Sequence, residues 1–426
     1  MSHPKNCSSP SVEALRPIAL TSIFSKIQES FAVEWMMEDI SPVISPAQYG
    51  GLPGLSTTHA LLNLLRNWYK ALEKPKTVIR VLFLDFSKAF DLINHNKLLQ
   101  DMKTMGVREA LRPWIASYLK GWKQRTKLGN VTSNLGDVNG GIPQGSKIGP
   151  LAFIIKINGL DQVCLQNDNN MVVIYMDDST LSEILDMSSH TSGQPIGNMQ
   201  EQLNAVKEWA TEQDMILNKE KCKEMIVDFR NTKTEIPRLQ VGQSQISRVS
   251  SYKLLRVWID NNLKWETNTW ALIKKSRKRL YFLKLLKNYG APVKDILAFY
   301  NTIIRPVLQY GEVLWSGGLT AKQRANIKRI QKRAFRIIYP GEDYEHVLQK
   351  YEFITLEERR KAHCVKLVSD MAQEEHKLNH LLPPLRSEIS LRNTRSNKNC
   401  FYNHFSRTNR FKNSPLSYAI NIFNNS

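Results

Sequence analysis

Apolar and polar positions follow two rhythms along this chain. Val78-Ile79-Arg80-Val81-Leu82-Phe83-Leu84 is a nearly unbroken apolar run, the pattern of a buried strand. Met171-Val172-Val173-Ile174 and Ser179-Thr180-Leu181 flank Tyr175-Met176-Asp177-Asp178, so residues 171–182 predict a strand, a tight turn with two acids and a return strand. Further strands are expected near Met225–Phe229 and Tyr252–Ile259. Residues 124–141 read as a hairpin, with turn signals at Asn130 and Gly136-Asp137. Helical spacing fills much of the rest. Ile23, Ile27, Phe31 and Trp35 recur every four residues and predict one apolar helix face. Leu61, Leu62, Leu64, Leu65 and Trp68 predict a second helix after the turn-rich Gly50-Gly51-Leu52-Pro53-Gly54. Others are expected from His95 to Met105, Leu111 to Leu119 and Met199 to Gln213. Pro150 to Leu160 is apolar nearly all round, which predicts a buried helix. Gly141–Gly145 and 188–198 read as loops. Past Asp260 the pattern is helical up to the Pro340-Gly341 break and again over 343–385, with 386–426 a basic tail of undetermined order.

Charge adds a partner to this α+β outline. The formal net charge is +20 over 426 residues, with a pI near 9.6. The cations are clustered. Lys274, Lys275, Arg277, Lys278, Arg279, Lys284 and Lys287 form one acid-free stretch, and Lys322, Arg324, Lys328, Arg329, Lys332, Arg333 and Arg336 form another. A solvated helix face normally mixes signs, so these runs point to nucleic acid, with acidic membrane surfaces the lesser alternative. No apolar run approaches the length of a membrane span. Five cysteines in an odd, irregular set without a Cys-x-x-Cys pair argue against a disulfide framework and for an intracellular, cytoplasmic or nuclear setting. His376, His380, Cys400 and His404 lie near one another in sequence, but their spacing reproduces no zinc knuckle.

The candidate chemistry lies in the acids. A lone Asp-Asp is a common turn and a lone acid after a strand a common helix cap. Three carboxylates at neighbouring strand ends (Asp85, Asp177 and Asp178) are different, because buried carboxylates are costly unless a cation pairs with them. Such a set of hard oxygen ligands suits Mg²⁺, and two ions can clamp the attacking and leaving oxygens of a phosphoryl transfer.

The ordered segments around these acids resemble the reverse transcriptases of non-LTR retrotransposons of the jockey-like and CR1-like group. The matching blocks are Arg16-Pro17-Ile18-Ala19-Leu20-Thr21, Gln48-Tyr49-Gly50-Gly51-Leu52-Pro53-Gly54, Ser56-Thr57-Thr58-His59-Ala60, Leu84-Asp85-Phe86-Ser87-Lys88-Ala89-Phe90-Asp91 and Gly141-Ile142-Pro143-Gln144-Gly145-Ser146. They continue through the Tyr-Met-Asp-Asp tetrad, Leu217-Asn218-Lys219-Glu220-Lys221, Tyr252-Lys253-Leu254-Leu255 and Arg305-Pro306-Val307-Leu308-Gln309-Tyr310, and close at Asn393-Thr394-Arg395 and Arg410-Phe411-Lys412-Asn413-Ser414.

The resemblance implies a right-hand polymerase with an antiparallel palm sheet, partial fingers and a helical thumb. Its parts would be residues 1–75 (partial fingers), 76–260 (palm, with fingers elements and the catalytic carboxylates), 261–342 (thumb) and 343–426 (basic C-terminal region). It implies RNA-directed DNA polymerase activity with two Mg²⁺ ions, Mn²⁺ being an alternative, acting on an RNA template, a DNA primer and dNTPs. Asp85 and Asp177 would hold both ions, Asp178 would complete the cluster, and the Phe86 carbonyl would add a ligand. Phe90 would exclude a 2′-hydroxyl. Gln144 and Gly145 would pack against the incoming nucleotide and template base. Arg16 would grip the triphosphate as a guanidinium fork, with Lys5 a second contact. Lys221 would protonate the leaving pyrophosphate, with Lys219 and Lys223 as rivals. Asp91 reads as structural.

Three departures from the family pattern bear on activity. Members carry more fingers sequence ahead of Arg16, so the chain reads as N-terminally truncated. Arg256 stands where a glycine is common, and would cost roughly 1–2 kcal/mol if the backbone there needs φ > 0. Tyr310-Gly311-Glu312 replaces smaller residues. The alternative to an active polymerase is therefore an inactive remnant that only binds nucleic acid.

Overall fold

The computed structural model describes residues 2–4, 15–17, 19–138, 140–164, 169–188, 197–389, 400–403 and 405–426, with the side chains of 2–4, 15–17 and Leu128 left aside. The fold is α+β, as expected. Its centre is a five-stranded sheet of β1 (Thr77–Leu84), β2 (Asn170–Tyr175), β3 (Asp178–Asp186), β4 (Lys223–Asp228) and β5 (Ser247–Arg248), in the order β5-β4-β1-β3-β2. Every pairing is antiparallel except the short β4–β5 edge. A separate hairpin, β6 (Ser251–Leu254) and β7 (Val257–Asp260), follows the sheet.

All eight residues of β1 are buried. Its alternation sends Ile79, Val81 and Phe83 into one hydrophobic core and Leu82 and Leu84 into another. Both sheet faces are therefore covered, which is why the sequence run is unbroken. Arg80 is buried too, and Glu224 accounts for it: Arg80 Nε lies 2.7 Å from one carboxylate oxygen and Arg248 Nη2 lies 3.0 Å from the other.

The helices before and within the sheet are α1 (Ile23–Ile40), α2 (Thr57–Ala71), α3 (His95–Thr104), α4 (Leu111–Leu119), α5 (Ile148–Ile157) and α6 (Met199–Glu212). After the β6–β7 hairpin come α7 (Glu266–Asn288), α8 (Ala321–Ile338), α9 (Leu356–Met371) and α10 (Pro415–Phe423), with shorter helical turns between them. The expected 124–141 hairpin forms as two nested ladders, Lys123–Gln124 with Gly136–Asp137 and Lys127–Leu128 with Val131–Thr132. Helix α5 is buried at every position but Pro150. Its one cation, Lys156, is held by Asp101 at 3.1 Å and Gln213 at 2.6 Å. Most of the expected 188–198 loop lies outside the described residues.

Two expectations need correcting. The four-spaced face of α1 does not turn inward: Ile23, Ile27, Phe31 and Trp35 are 76, 50, 54 and 44% exposed, and Glu29, Ala32, Met36 and Ile40 are buried instead. The reason is Glu29. Its carboxylate accepts hydrogen bonds from the backbone N–H groups of Lys147 and Ile148 at 2.6 and 3.4 Å, satisfying the start of α5 and fixing the rotation of α1. The second concerns the C-terminal stretch. It is not merely a tail: α10 packs on α2 and α9, burying Leu416, Ala419 and Ile420, and the Glu73 carboxylate accepts from the backbone of Arg407 and Thr408. Residues 390–399 lie outside the described part.

Candidate active site

The hairpin register brings the three acids to one end of the sheet. Tyr175 pairs with Asp178 across a two-residue turn, Met176-Asp177, with Met176 at φ 58°. Leu84 pairs with Ser179, so one further step along each antiparallel strand sets Asp85 beside Asp178. Asp85 is clamped from behind: its carbonyl accepts from Asn218 N–H at 2.8 Å, and Ser87 N–H donates to Ile216 O at 2.7 Å. Buried Phe86 forms a bridge with Leu217 between these two bonds. The tight turn after Asn218 then lifts Lys221, whose Nζ lies 3.2 Å from Asp85 Oδ1. Of the rival lysines, Lys223 Nζ is turned to the Glu220 carbonyl.

Negative charge is crowded at this end of the sheet. Burial pushes the Asp178 carboxyl up to about 6, with Asp177 and then Asp85 adding to it. The residue still presents surface to water, so screening tempers the burial contribution, while the like-charge neighbours give the same direction. Tyr252 borders the acids from the neighbouring hairpin. Its ring stacks on Phe83 at 3.9 Å, and its phenol is pushed up to about 12 by burial and by Asp178 and Asp85.

A divalent metal fits this site by donor chemistry: three carboxylates, hard oxygens only, with Asp177 and Asp85 raising the proton affinity of Asp178. No ready cage of three His, Cys, Asp or Glu groups is formed among the described residues; Asp85 is paired with Lys221 instead.

The other expected residues surround this end of the sheet. Phe90 is half-buried and stacks on Phe153 at 4.5 Å. Its carbonyl accepts from Ile142 N–H at 2.9 Å, tying the Phe90 segment to the Gly141–Gly145 loop. That contact demands glycine at 141, where a Cβ would lie 2.7 Å from the Asp91 carbonyl and φ is 78°. Gln144 Nε2 donates to Asp91 Oδ1 at 2.8 Å, which gives Asp91 a supporting role. Gly145 is exposed with φ 111°. Arg16 lies in the short strand Leu15–Pro17, opposite His3; its side chain, like all of Lys5, lies outside the described residues.

A basic surface adjoins the acids. Lys253 and Arg256 on the β6–β7 hairpin face Lys275 and Arg279 of α7, and burial together with Arg279, Lys253 and Arg256 lowers the Lys275 amine. Trp270, Tyr281, Phe282 and Tyr289 stand exposed among the cations of α7. The β6–β7 turn has both Leu255 (φ 45°) and Arg256 (φ 69°) in the left-handed region. Tyr310 secures it, its hydroxyl donating to the Leu255 carbonyl at 2.9 Å and meeting Thr57 Oγ1 of α2 at 3.1 Å. Glu312 is buried, against His363 and Arg360. Of the zinc candidates, His376 packs edge-on to His59 at 5.1 Å, Cys400 Sγ donates to Asn424 O, and His404 lies outside the described residues.

The family model for "Reverse transcriptase (RNA-dependent DNA polymerase)" matches residues 4–259, more than half of the chain. The chain belongs to the reverse transcriptase family. A second model, "Alkylated DNA repair protein alkB homolog 8, N-terminal", matches only residues 265–305, most of them in α7. Similar curated proteins include the RNA-directed DNA polymerase from mobile element jockey of Drosophila melanogaster, 25% identical over 77% of this chain and 36% of the relative. The probable RNA-directed DNA polymerase from transposon BS of the same fly is 24% identical over 88% of this chain and 42% of the relative. The expected likeness to the jockey-like non-LTR group is thus borne out. This reverse transcriptase chain spans about two fifths of the length of those relatives. Among solved structures, a telomerase from Candida tropicalis in complex with a fragment of telomeric RNA aligns at TM-score 0.42 and 12% identity, covering 84% of this chain and 56% of the other. Reverse transcriptases generally use divalent metals. No helix among the described residues is long and apolar enough to cross a membrane.

Three neighbours of the site are not singled out by the sequence reading. Cys222 is fully buried with its thiol toward the Asp85 carbonyl. Tyr252 was visible only as part of a motif. Gln48, also within a motif, proves to be 1% exposed and bonded to the Met176-Asp177 turn.

Proposed function

We propose that this chain is the polymerase portion of a non-LTR element reverse transcriptase, extending a DNA primer on an RNA template by nucleotidyl transfer. The observation that carries the reading is the register that sets Asp85 beside Asp178 and the Asp177 turn. Asp85 and Asp177, with Asp178 and the Phe86 carbonyl, would hold two Mg²⁺ ions. Bound there, the metal would supply charge stabilisation for the transferring phosphoryl group and lower the pKa of the primer 3′-hydroxyl. Every other task falls to the protein. Lys221 neutralises Asp85 until metal and substrate arrive, and is then free to donate a proton to the departing pyrophosphate. Phe90, stiffened by Phe153, bars a 2′-hydroxyl. Gln144, oriented by Asp91, and Gly145 form the wall against the base pair, and Arg16 takes the triphosphate. Lys253, Arg256, Lys275 and Arg279 hold primer–template phosphates without reading sequence. Residues 1–75, 76–260, 261–342 and 343–426 serve as partial fingers, palm, thumb and C-terminal region.

A second reading, a nucleic-acid-binding remnant without turnover, is favoured by one observation: two non-glycine residues with positive φ at the β6–β7 turn. Primer extension on poly(rA)·oligo(dT) with Mg²⁺ and dTTP separates the two. Extension by the wild type and none by Asp177→Ala/Asp178→Ala establishes the polymerase. Salt-sensitive duplex binding without extension in either establishes the remnant.

A further inference from the structure

Strand β2, which leads into the catalytic turn, lies at the sheet edge and is covered there by residues 47–49. Ile174 N–H donates to Ala47 O at 2.9 Å and Tyr49 N–H to Ile174 O at 2.8 Å, a parallel bridge centred on Gln48. The Gln48 side chain continues the contact into the turn. Its Oε1 accepts from Gly50 N–H at 2.8 Å and from Met176 N–H at 3.4 Å. The approach is so close that a Cβ at position 50 would lie 2.5 Å from Met176 N. Met176 is the left-handed residue of the turn and sits immediately before Asp177.

This buttress is itself held from far along the chain. Lys377, in the segment after α9, donates from Nζ to the Gln48 carbonyl at 2.6 Å and lies 4.3 Å from the centre of the Tyr49 ring. Tyr49 is buried and anchored through its hydroxyl, which accepts from Asn63 Nδ2 of α2 at 2.6 Å. The residues matched by the reverse transcriptase family model end more than a hundred positions before Lys377.

We propose that Lys377 is a positioning residue for the catalytic turn, acting through Gln48 on Met176 and so on Asp177. This rests on the polymerase reading above. Burial lowers the Lys377 amine to about 8, from an ordinary lysine value of 10.5. The unfolded chain therefore keeps this proton to higher pH than the folded one, and stability rises between about pH 8 and 10.5. Below that window the buried charge costs stability. A neutral substitute is thus not expected to unfold the protein, although it loses the bond to Gln48.

The test compares wild type with Lys377→Met, Lys377→Gln and Lys377→Arg. For Lys377→Met, kcat for primer extension falls about ten- to a hundred-fold, as expected for a displaced reacting group, while KM for dTTP and the melting temperature change little. Lys377→Arg, which keeps a charged donor, recovers most of the loss, and Lys377→Gln falls between. Amide exchange at residues 174–178 speeds up in Lys377→Met without metal or substrate. Unchanged kcat together with unchanged exchange overturns the proposal, as does a loss that only tracks a lowered melting temperature. Should the wild type extend no primer at all, the polymerase reading fails, and exchange at 174–178 alone decides the role of Lys377.

Discussion

Arg256 is the residue whose cost is most plainly visible. A two-residue hairpin turn with φ > 0 at both positions is the geometry that Asn-Gly supplies without strain, and here it is built from Leu255 and Arg256. Arg256→Gly should raise stability by about 1 kcal/mol, read as a shift of the urea midpoint with an unchanged m-value. If the remnant reading holds because of this turn, the same change restores extension. Asp178 carries a second residue-scale prediction. Its folded-state pKa lies above the ordinary 3.8, near 6. Between those values the folded chain binds more protons than the unfolded one, so the metal-free protein loses stability as pH rises through that interval. Asp178→Asn should therefore melt higher than wild type above pH 6 without metal, with the gap closing near pH 4. Divalent cations should stabilise the wild type and not the variant; equal melting curves across the pH range would refute this. The acids were legible in the sequence because strand ends can be read from periodicity. Lys377 was not, because its meaning lies in a carbonyl 329 residues away.

At the scale of elements, most helices and strands follow the sequence closely because their apolar spacing matches the layers that cover them, one core for an amphipathic helix such as α2 and two for β1. Helix α1 shows where that reasoning breaks down. Its four-spaced apolar row is the more hydrophobic one, yet the buried row contains Glu29, since the first N–H groups of α5 require an acceptor. No local pattern announces a requirement set by another helix's end. The consequence can be measured. Phe24→Ser and Phe31→Ser should each change stability by less than about 0.5 kcal/mol, as surface changes do, and should improve solubility. Met36→Ala, at a fully buried position, should cost about 2–5 kcal/mol. Equal costs at the two faces would mean that α1 is rotated from the orientation described. Similarly, 386–426 read as a basic tail because no acid follows Glu388 while six Lys and Arg residues do, although the apolar residues of α10 are what the rest of the core needs.

Across the whole molecule, the net charge of +20 resolves into a local asymmetry. Carboxylates occupy the sheet end, and cations from β6, the β6–β7 turn and α7 stand next to them. Binding of an RNA–DNA hybrid should weaken steeply with salt. Replacing Lys253, Lys275 and Arg279 by Gln should reduce the log–log salt slope by about 2–3, since each phosphate contact contributes close to one. An unchanged slope would move the duplex elsewhere on the surface. This partition was legible in outline from the charge runs. The contribution of the β6–β7 hairpin was not, because only the fold brings Lys253 and Arg256 to α7.

The docking of α10 on α2 also sets the order of events during synthesis. Leu61 and its neighbours in α2 precede α10 by some 350 residues, yet the core they belong to includes Leu416, Ala419 and Ile420. The segment that braces Gln48 likewise emerges late. Contacts of such sequence separation form slowly, and a nascent chain cannot make them until residue 423 has left the ribosome. The carboxylates would thus be assembled on an unbraced sheet until those residues have emerged. A chain stopped after residue 408 should be protease-sensitive and inactive, with competence returning only when residues 409–423 are restored.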